Sequence, residues 1–194
     1  MDGYFIENWK LKIENYIPMK PHITLLLGTA REGRLSEHVA HFLLEKLKID
    51  CRFDIELVDV RDHLILATIA SWTESDKASP WREIVKKSDA FIIVSPEYNH
   101  GYPGELKLLL DRANKEYFGK PVLMCGVSNG PFGGARMIEH IIPILRQLGM
   151  VPLVETLYFP HVSELFKKNM AEIELEHLPR IEKGIQSLLG YIGR

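Results

Sequence analysis

Cysteine is scarce in this chain, with two in 194 residues, Cys51 and Cys125. They lie far apart and match no metal-ligand spacing or disulfide framework. Cys125 sits inside an apolar run, where a thiol behaves as a small buried hydrophobe. With no such framework and no signal-peptide pattern, a reducing cytoplasm is the expected setting. Net charge is small as well. The sum is −2 at pH 7, so no global field recruits nucleic acid. No run approaches the ~20 apolar residues of a membrane-spanning helix, and neither internal repeats nor low-complexity tracts occur. Two well-known phosphate patterns are also missing. Without Gly-x-x-x-x-Gly-Lys-Ser/Thr a nucleoside triphosphatase has no support, and without Gly-x-Gly-x-x-Gly neither has a dinucleotide site.

What is present is ordinary in bulk: 46% apolar and 26% charged residues, enough for one domain with a sizeable core. We assign residues 21–194 to that domain and 1–20 to an N-terminal extension. In the extension Ile6, Trp9, Ile13 and Ile17 recur at helical spacing, and Pro18 closes the pattern.

One stretch stands out, Ser95-Pro96-Glu97-Tyr98-Asn99-His100-Gly101-Tyr102-Pro103-Gly104. It follows Ala90-Phe91-Ile92-Ile93-Val94, whose β-branched and aromatic content reads as a buried strand. The loop leaving the carboxyl end of a parallel strand is where ligands bind in open α/β sheets. Its prolines fix φ and its glycines expose backbone, which suits a flat heteroaromatic ligand.

Two further loops join it. His22 to Leu27 reads as a strand running into Gly28-Thr29-Ala30-Arg31-Glu32-Gly33-Arg34-Leu35-Ser36, after which Val39, Phe42, Leu43 and Leu47 mark a helix. Ser36 is the predicted N-cap and Glu37 stands in the first turn. Strand, glycine-bearing loop and helix N-terminus make an anion site, with Thr29, Ser36, Arg31 and Arg34 as side-chain donors. An ordinary βα turn with solvated arginines has the same composition, so this loop alone leaves both readings open. Pro121 to Val127 reads as another buried strand, feeding Ser128-Asn129-Gly130-Pro131-Phe132-Gly133-Gly134.

The remaining elements complete an alternation. Phe53 to Val60 reads as a strand near a sheet edge, and Arg61 to Ser79 as a long loop in which Trp72 either covers a ligand or, the favoured reading, packs down. Pro80 starts a short helix ending at Lys87. Helices are predicted from Pro103 to Tyr117 and from Ala135 to Leu148, the latter closed by Gly149. Met150 to Phe159 is predicted to be an edge strand because Pro152 interrupts it. The last helix starts near Ser163, with Pro179 kinking or splitting it. The result is a flavodoxin-like, doubly wound five-stranded parallel α/β sheet of order 2-1-3-4-5, with helices on both faces. In that order the three glycine-bearing loops meet at the switch point.

Pro96-Glu97-Tyr98-Asn99-His100-Gly101-Tyr102-Pro103-Gly104-Glu105-Leu106-Lys107 resembles the signature Pro-Glu-Tyr-Asn-x-x-x-Pro-Gly-x-Leu-Lys of the NADPH-dependent FMN reductase family. Gly28 to Arg34 is similar to that family's Gly-Ser/Thr-x-Arg-x-Gly-Arg, and Ser128, Gly130, Gly133, Gly134 and Arg136 to its Ser-x-Gly-x-x-Gly-Gly-x-Arg. The resemblance, from about His22 to Leu153, implies a noncovalent FMN. Thr29, Arg31, Arg34 and Ser36, with Glu37, would hold its phosphate. Pro96, Glu97, Tyr98 and Asn99 would line the isoalloxazine edge, with His100 adjacent. Ser128, Gly130, Gly133 and Gly134 would bound the other side. Two positions depart from the family, Leu108 for Asn and Arg112 for Trp, and both bear on partner contacts rather than on FMN.

The function implied is transfer of hydride from NADPH or NADH through FMN to a small acceptor: a quinone, an azo compound, free flavin or a metal ion. The chemistry belongs to the flavin, so no side chain is assigned as an obligatory catalyst and His100 reads as a positioned or solvated residue. A flavodoxin-type electron carrier and a non-enzymatic flavin-binding regulator are the alternatives. A homodimer or dimer of dimers is expected, with Leu106, Leu109 and Leu110 as its candidate interface.

Overall fold

The structure, a computed structural model, describes residues 20–192. The helix expected over Met1–Pro18 lies outside them. The described chain runs β1 (His22–Leu27), α1 (Ser36–Leu47), β2 (Asp54–Asp59), a 3₁₀ turn (Val60–His63), α2 (Ser79–Lys87), β3 (Ala90–Pro96) and α3 (Gly104–Leu110). A second 3₁₀ turn (Lys115–Tyr117) precedes β4 (Pro121–Val127), α4 (Ala135–Gln147), β5 (Val151–Phe159), α5 (Val162–Leu165) and α6 (Met170–Tyr191). The strands form one parallel sheet in the predicted order β2-β1-β3-β4-β5.

The central strands are continuous apolar runs because both their faces are covered. Ile92 and Val94 of β3 join Leu25, Leu27, Leu123 and Cys125 in the core beneath α1 and α6. Phe91 and Ile93 point the other way, joining Leu26, Val122 and Met124 beneath α2, α3 and α4. Edge strand β2 has only Val58 fully buried, as its polar alternation requires. At the opposite edge β5 pairs with β4 through a register shift near Val122 and Met124, where Pro152 cannot donate to a regular ladder.

Four expectations need correction. The helix after the central loop ends at Leu110, not Tyr117; Asn114 leaves helical geometry, and its N–H donates to the Glu116 carboxylate (3.0 Å). The terminal helix breaks at residues 166–169, not at Pro179. Helix α6 runs through that proline because Ile173 and His177 on one side, and Ile181 and Ile185 on the other, keep it docked. Trp72 does not pack down but is 85% exposed. The interior position belongs to Trp81, which is fully buried and whose indole N–H donates to the Tyr117 hydroxyl (2.8 Å). Leu106, Leu109 and Leu110 are sealed in the core of their own subunit, so this stripe is not an interface.

Candidate functional site

The first loop leaves β1 beside β3, with the Gly28 N–H donating to the Val94 carbonyl (2.8 Å). Its arginines take different roles. The Arg34 side chain is 1% exposed and turns inward. Nη1 donates to the Thr29 carbonyl and to Asp59 Oδ1 (2.7 Å), Nη2 donates to Asp59 Oδ2, and Nε donates to Glu37 (3.3 Å). Burial opposes the charge on Asp59, yet the Arg34 guanidinium and the Arg61 N–H hold its carboxyl below the ordinary range. Burial likewise opposes the charge on Arg34, but Asp59 and Glu37 raise it. Arg31 instead lies with its guanidinium carbon 5.4 Å from the centroid of the Tyr98 ring, at cation–π distance. No carboxylate of the described residues holds it.

Ser36 is the first residue of α1 rather than its cap; Leu35 precedes the helix in αR geometry, and no side chain caps this end. The Ser36 hydroxyl is buried without a hydrogen-bond partner. A buried hydroxyl left unmatched costs about 1–3 kcal/mol. It stands at a helix N-terminus, where backbone N–H groups and the dipole favour an anion.

The central loop owes its shape to a turn that composition did not foreshadow. Tyr98 and Gly101 exchange two backbone hydrogen bonds, each 2.9 Å, around Asn99 (φ 48°) and His100 (φ 65°). Two positive φ angles inside such a bridge define a type I′ turn, so the left-handed residues are Asn99 and His100 rather than the glycines. Both project at an exposed tip. Behind the tip, the Tyr98 and Thr29 hydroxyls are 3.1 Å apart. Glu105 Oε1 accepts from the Thr29 hydroxyl (3.0 Å) and from the Ala30 N–H (2.8 Å). Thr29 is fully buried and serves as a strut between the two loops.

The third loop closes the other side. Glu97 spans from the central loop to it, accepting from the Arg136 N–H (3.2 Å) and from Arg136 Nη1 (3.3 Å). Ser128 donates its hydroxyl to the Gly130 carbonyl (3.0 Å). Gly134 (φ 84°) is the residue that turns into α4, and its Cα sits where a Cβ would meet Val127 N at 2.8 Å. In β4, a Cβ on Gly126 would lie 2.4 Å from the Gly133 carbonyl oxygen.

These loops enclose a cleft of about 220 Å³ lined by Arg31, Gly33, Arg34, Leu35, Ser36, Pro96, Glu97, Tyr98, Val127, Ser128, Asn129 and Val162. Of the residues singled out in the sequence, Arg31, Arg34, Ser36, Pro96, Glu97, Tyr98 and Ser128 meet there. Thr29, Glu37, Asn99, His100, Gly130, Gly133 and Gly134 are not among the lining residues. Sequence reading passed over Glu105, Asp59 and Arg61, which organise the first loop from other elements, and Asn129, whose Oδ1 accepts from the Ser163 N–H (3.1 Å). Glu105 occupies an unspecified position of the signature, and nothing local marks Asp59 or Arg61.

The cleft suits a phosphorylated flavin on its own chemistry. An uncapped helix N-terminus with an unmatched hydroxyl and the Arg31 guanidinium takes a phosphate, and the Pro96–Tyr98 segment offers backbone and an aromatic wall to a flat ring. Comparison with known proteins agrees. The family model for NADPH-dependent FMN reductase matches residues 21–164. An NAD(P)H-dependent FMN reductase of Schizosaccharomyces pombe is 31% identical over 159 residues, covering 76% of this chain and 78% of its own. The quinone reductase of Escherichia coli is 31% identical over 140 residues, covering 65% and 70%. The flavoenzyme NAD(P)H:(acceptor) oxidoreductase of Paracoccus denitrificans superposes with a TM-score of 0.59 at 25% identity, covering 69% of this chain and 75% of its own. The chain belongs to the NADPH-dependent FMN reductase family, and is accordingly an oxidoreductase whose cofactor is FMN.

Proposed function

We propose that this protein takes reducing equivalents from NADPH or NADH and delivers them to a small acceptor of the quinone type. Azo compounds, free flavin and metal ions belong to the same range of acceptors. The observation that carries the reading is the combination at the first loop: the unpartnered Ser36 hydroxyl at an uncapped helix, beside an arginine that no carboxylate of the described residues holds.

Ser36, the first turn of α1 and Arg31 are the groups that would hold the phosphate. Pro96 to Tyr98 would support the ring system, and Ser128 and Asn129 would bound it opposite. When bound, FMN supplies the hydride chemistry at its ring. The protein's part is to bind, to orient and to leave one face open to a nicotinamide and then to an acceptor. Glu97 is the one carboxylate among the lining residues, and it is engaged at the N-terminus of α4 by Arg136. No general base therefore stands free in the cleft.

The E. coli relative's name as a quinone reductase supports a quinone acceptor. The purified protein should show the oxidised flavin spectrum, and anaerobic NADPH or NADH should bleach it. A quinone added next should restore it. A flavin that stays oxidised on mixing would favour the electron-carrier reading instead. An open flavin face also needs a second wall, which a homodimer would provide.

A further inference from the structure

The first loop is held in shape from outside the cleft, by residues at the end of β2. Arg61 stands in the turn Val60–His63 and reaches back across the sheet edge. Its Nε donates to the Ala30 carbonyl (3.1 Å) and its Nη2 to the Arg31 carbonyl (2.6 Å). Arg34 holds the preceding carbonyl, that of Thr29. Three successive carbonyl oxygens are thus drawn to guanidinium groups on the β2 side. Asp59 links the two arginines, binding the Arg34 guanidinium and accepting from the Arg61 N–H (2.9 Å).

The consequence follows from peptide geometry. In a planar trans peptide the carbonyl of one residue and the N–H of the next point in opposite directions. Drawing the carbonyls of Thr29, Ala30 and Arg31 to one side sends the next three N–H groups to the other. The Ala30 N–H meets Glu105 (2.8 Å) and the Arg31 N–H meets the Thr29 hydroxyl (3.3 Å), so among the described residues the Glu32 N–H is the one of the three left without a partner. The carbonyl dipoles that would repel an anion are therefore turned away and neutralised. Arg61 makes its contacts to backbone, so it acts on the loop's shape whatever side chains the loop carries.

We propose that Arg61, anchored through Asp59, is a positioning residue that gives this loop its phosphate-accepting shape and so sets the preference for FMN over riboflavin. The inference rests on the functional reading above, because it needs the flavin phosphate at this loop. Riboflavin has the same ring system and no phosphate, so it senses the ring loops alone.

The test measures FMN and riboflavin affinities by flavin fluorescence quenching for wild type, Arg61→Ala, Arg61→Lys and Asp59→Asn. Arg61 is exposed, so its variants should keep the wild-type melting transition. Arg61→Ala should weaken FMN by roughly tenfold while leaving riboflavin unchanged, since two charge-assisted hydrogen bonds to backbone are lost. Arg61→Lys should recover only part of that loss, because a single ammonium lacks the fork that spans two carbonyls. Asp59→Asn should narrow the ratio in the same direction. If wild type binds neither flavin, the functional reading itself falls. If wild type prefers FMN but Arg61→Ala keeps that preference, or loses both flavins equally, the positioning role is overturned and the functional reading stands.

Discussion

At the scale of the residue, backbone geometry makes two clear demands. His100 holds φ 65° at the tip of a type I′ turn, a conformation that favours glycine at this position. Replacing it by glycine should stabilise the fold by about 1 kcal/mol, read as a higher melting temperature. Flavin binding should be unchanged, because the imidazole lies outside the cleft lining. A variant that lost flavin would assign His100 a contact with the cofactor. Gly126 makes the opposite demand. It sits under the third loop, and a methyl group there would stand 2.4 Å from the Gly133 carbonyl oxygen, which is backbone and has no rotamer to escape into. Gly126→Ala should cost about 1–3 kcal/mol and should weaken FMN through displacement of Ser128 and Asn129. Chemical denaturation and flavin titration on the same sample would check both effects. The signature made the loop residues conspicuous in the sequence. Gly126 was inconspicuous, because its requirement comes from a loop folded over it.

At the scale of the element, α6 shows how one helix contributes a pH dependence. His177 is 4% exposed and its ring stacks on Phe159 at 4.4 Å with an interplanar angle of 18°. Burial pushes its pKa down, against the pull of Glu176, while Arg180 and Lys168 push the same way as burial. The folded state therefore prefers the neutral ring. Its contribution is fully present above the ordinary value near 6.5 and is lost as pH falls through the lowered folded value. Unfolding free energy should decline from pH 7 toward pH 5, and His177→Phe should flatten much of that slope while keeping the stacking. His63 is displaced downward by burial too, with Arg112 adding to it against Asp62, so a smaller slope should persist. A variant with an unchanged pH profile would assign the slope to other groups. Helix α6 also marks how far periodicity reaches. Its apolar stripe was legible, but its start was misplaced because the break at residues 166–169 depends on how α5 tucks against the third loop. Val162 N–H donates to the Ser128 carbonyl there (3.1 Å).

At the scale of the whole molecule, the issue is which apolar faces turn inward. Leu106, Leu109 and Leu110 looked available for a partner, yet all three are within 1% of complete burial. Leu106→Ala should accordingly lower stability by about 2–5 kcal/mol without changing the sedimentation coefficient. A variant that dissociated while keeping its stability would return this helix to an interface. Wild type is expected to sediment as a dimer, and a 22.3 kDa species at micromolar concentration would exclude a stable one. Sequence alone determined the βα alternation, the strand order and the three loops at the switch point, because hydrophobic period and turn residues are local properties read within a few positions. Tertiary structure decided which arginine is tied up by an ion pair. Arg31 and Arg34 stand three residues apart in one motif with the same side chain and both line the cleft, but Asp59, on another strand, ties up the Arg34 guanidinium while that of Arg31 lies by the Tyr98 ring. Ion pairing acts through space, across residues distant in the chain, so composition and spacing could name the phosphate loop but not divide the work among its arginines.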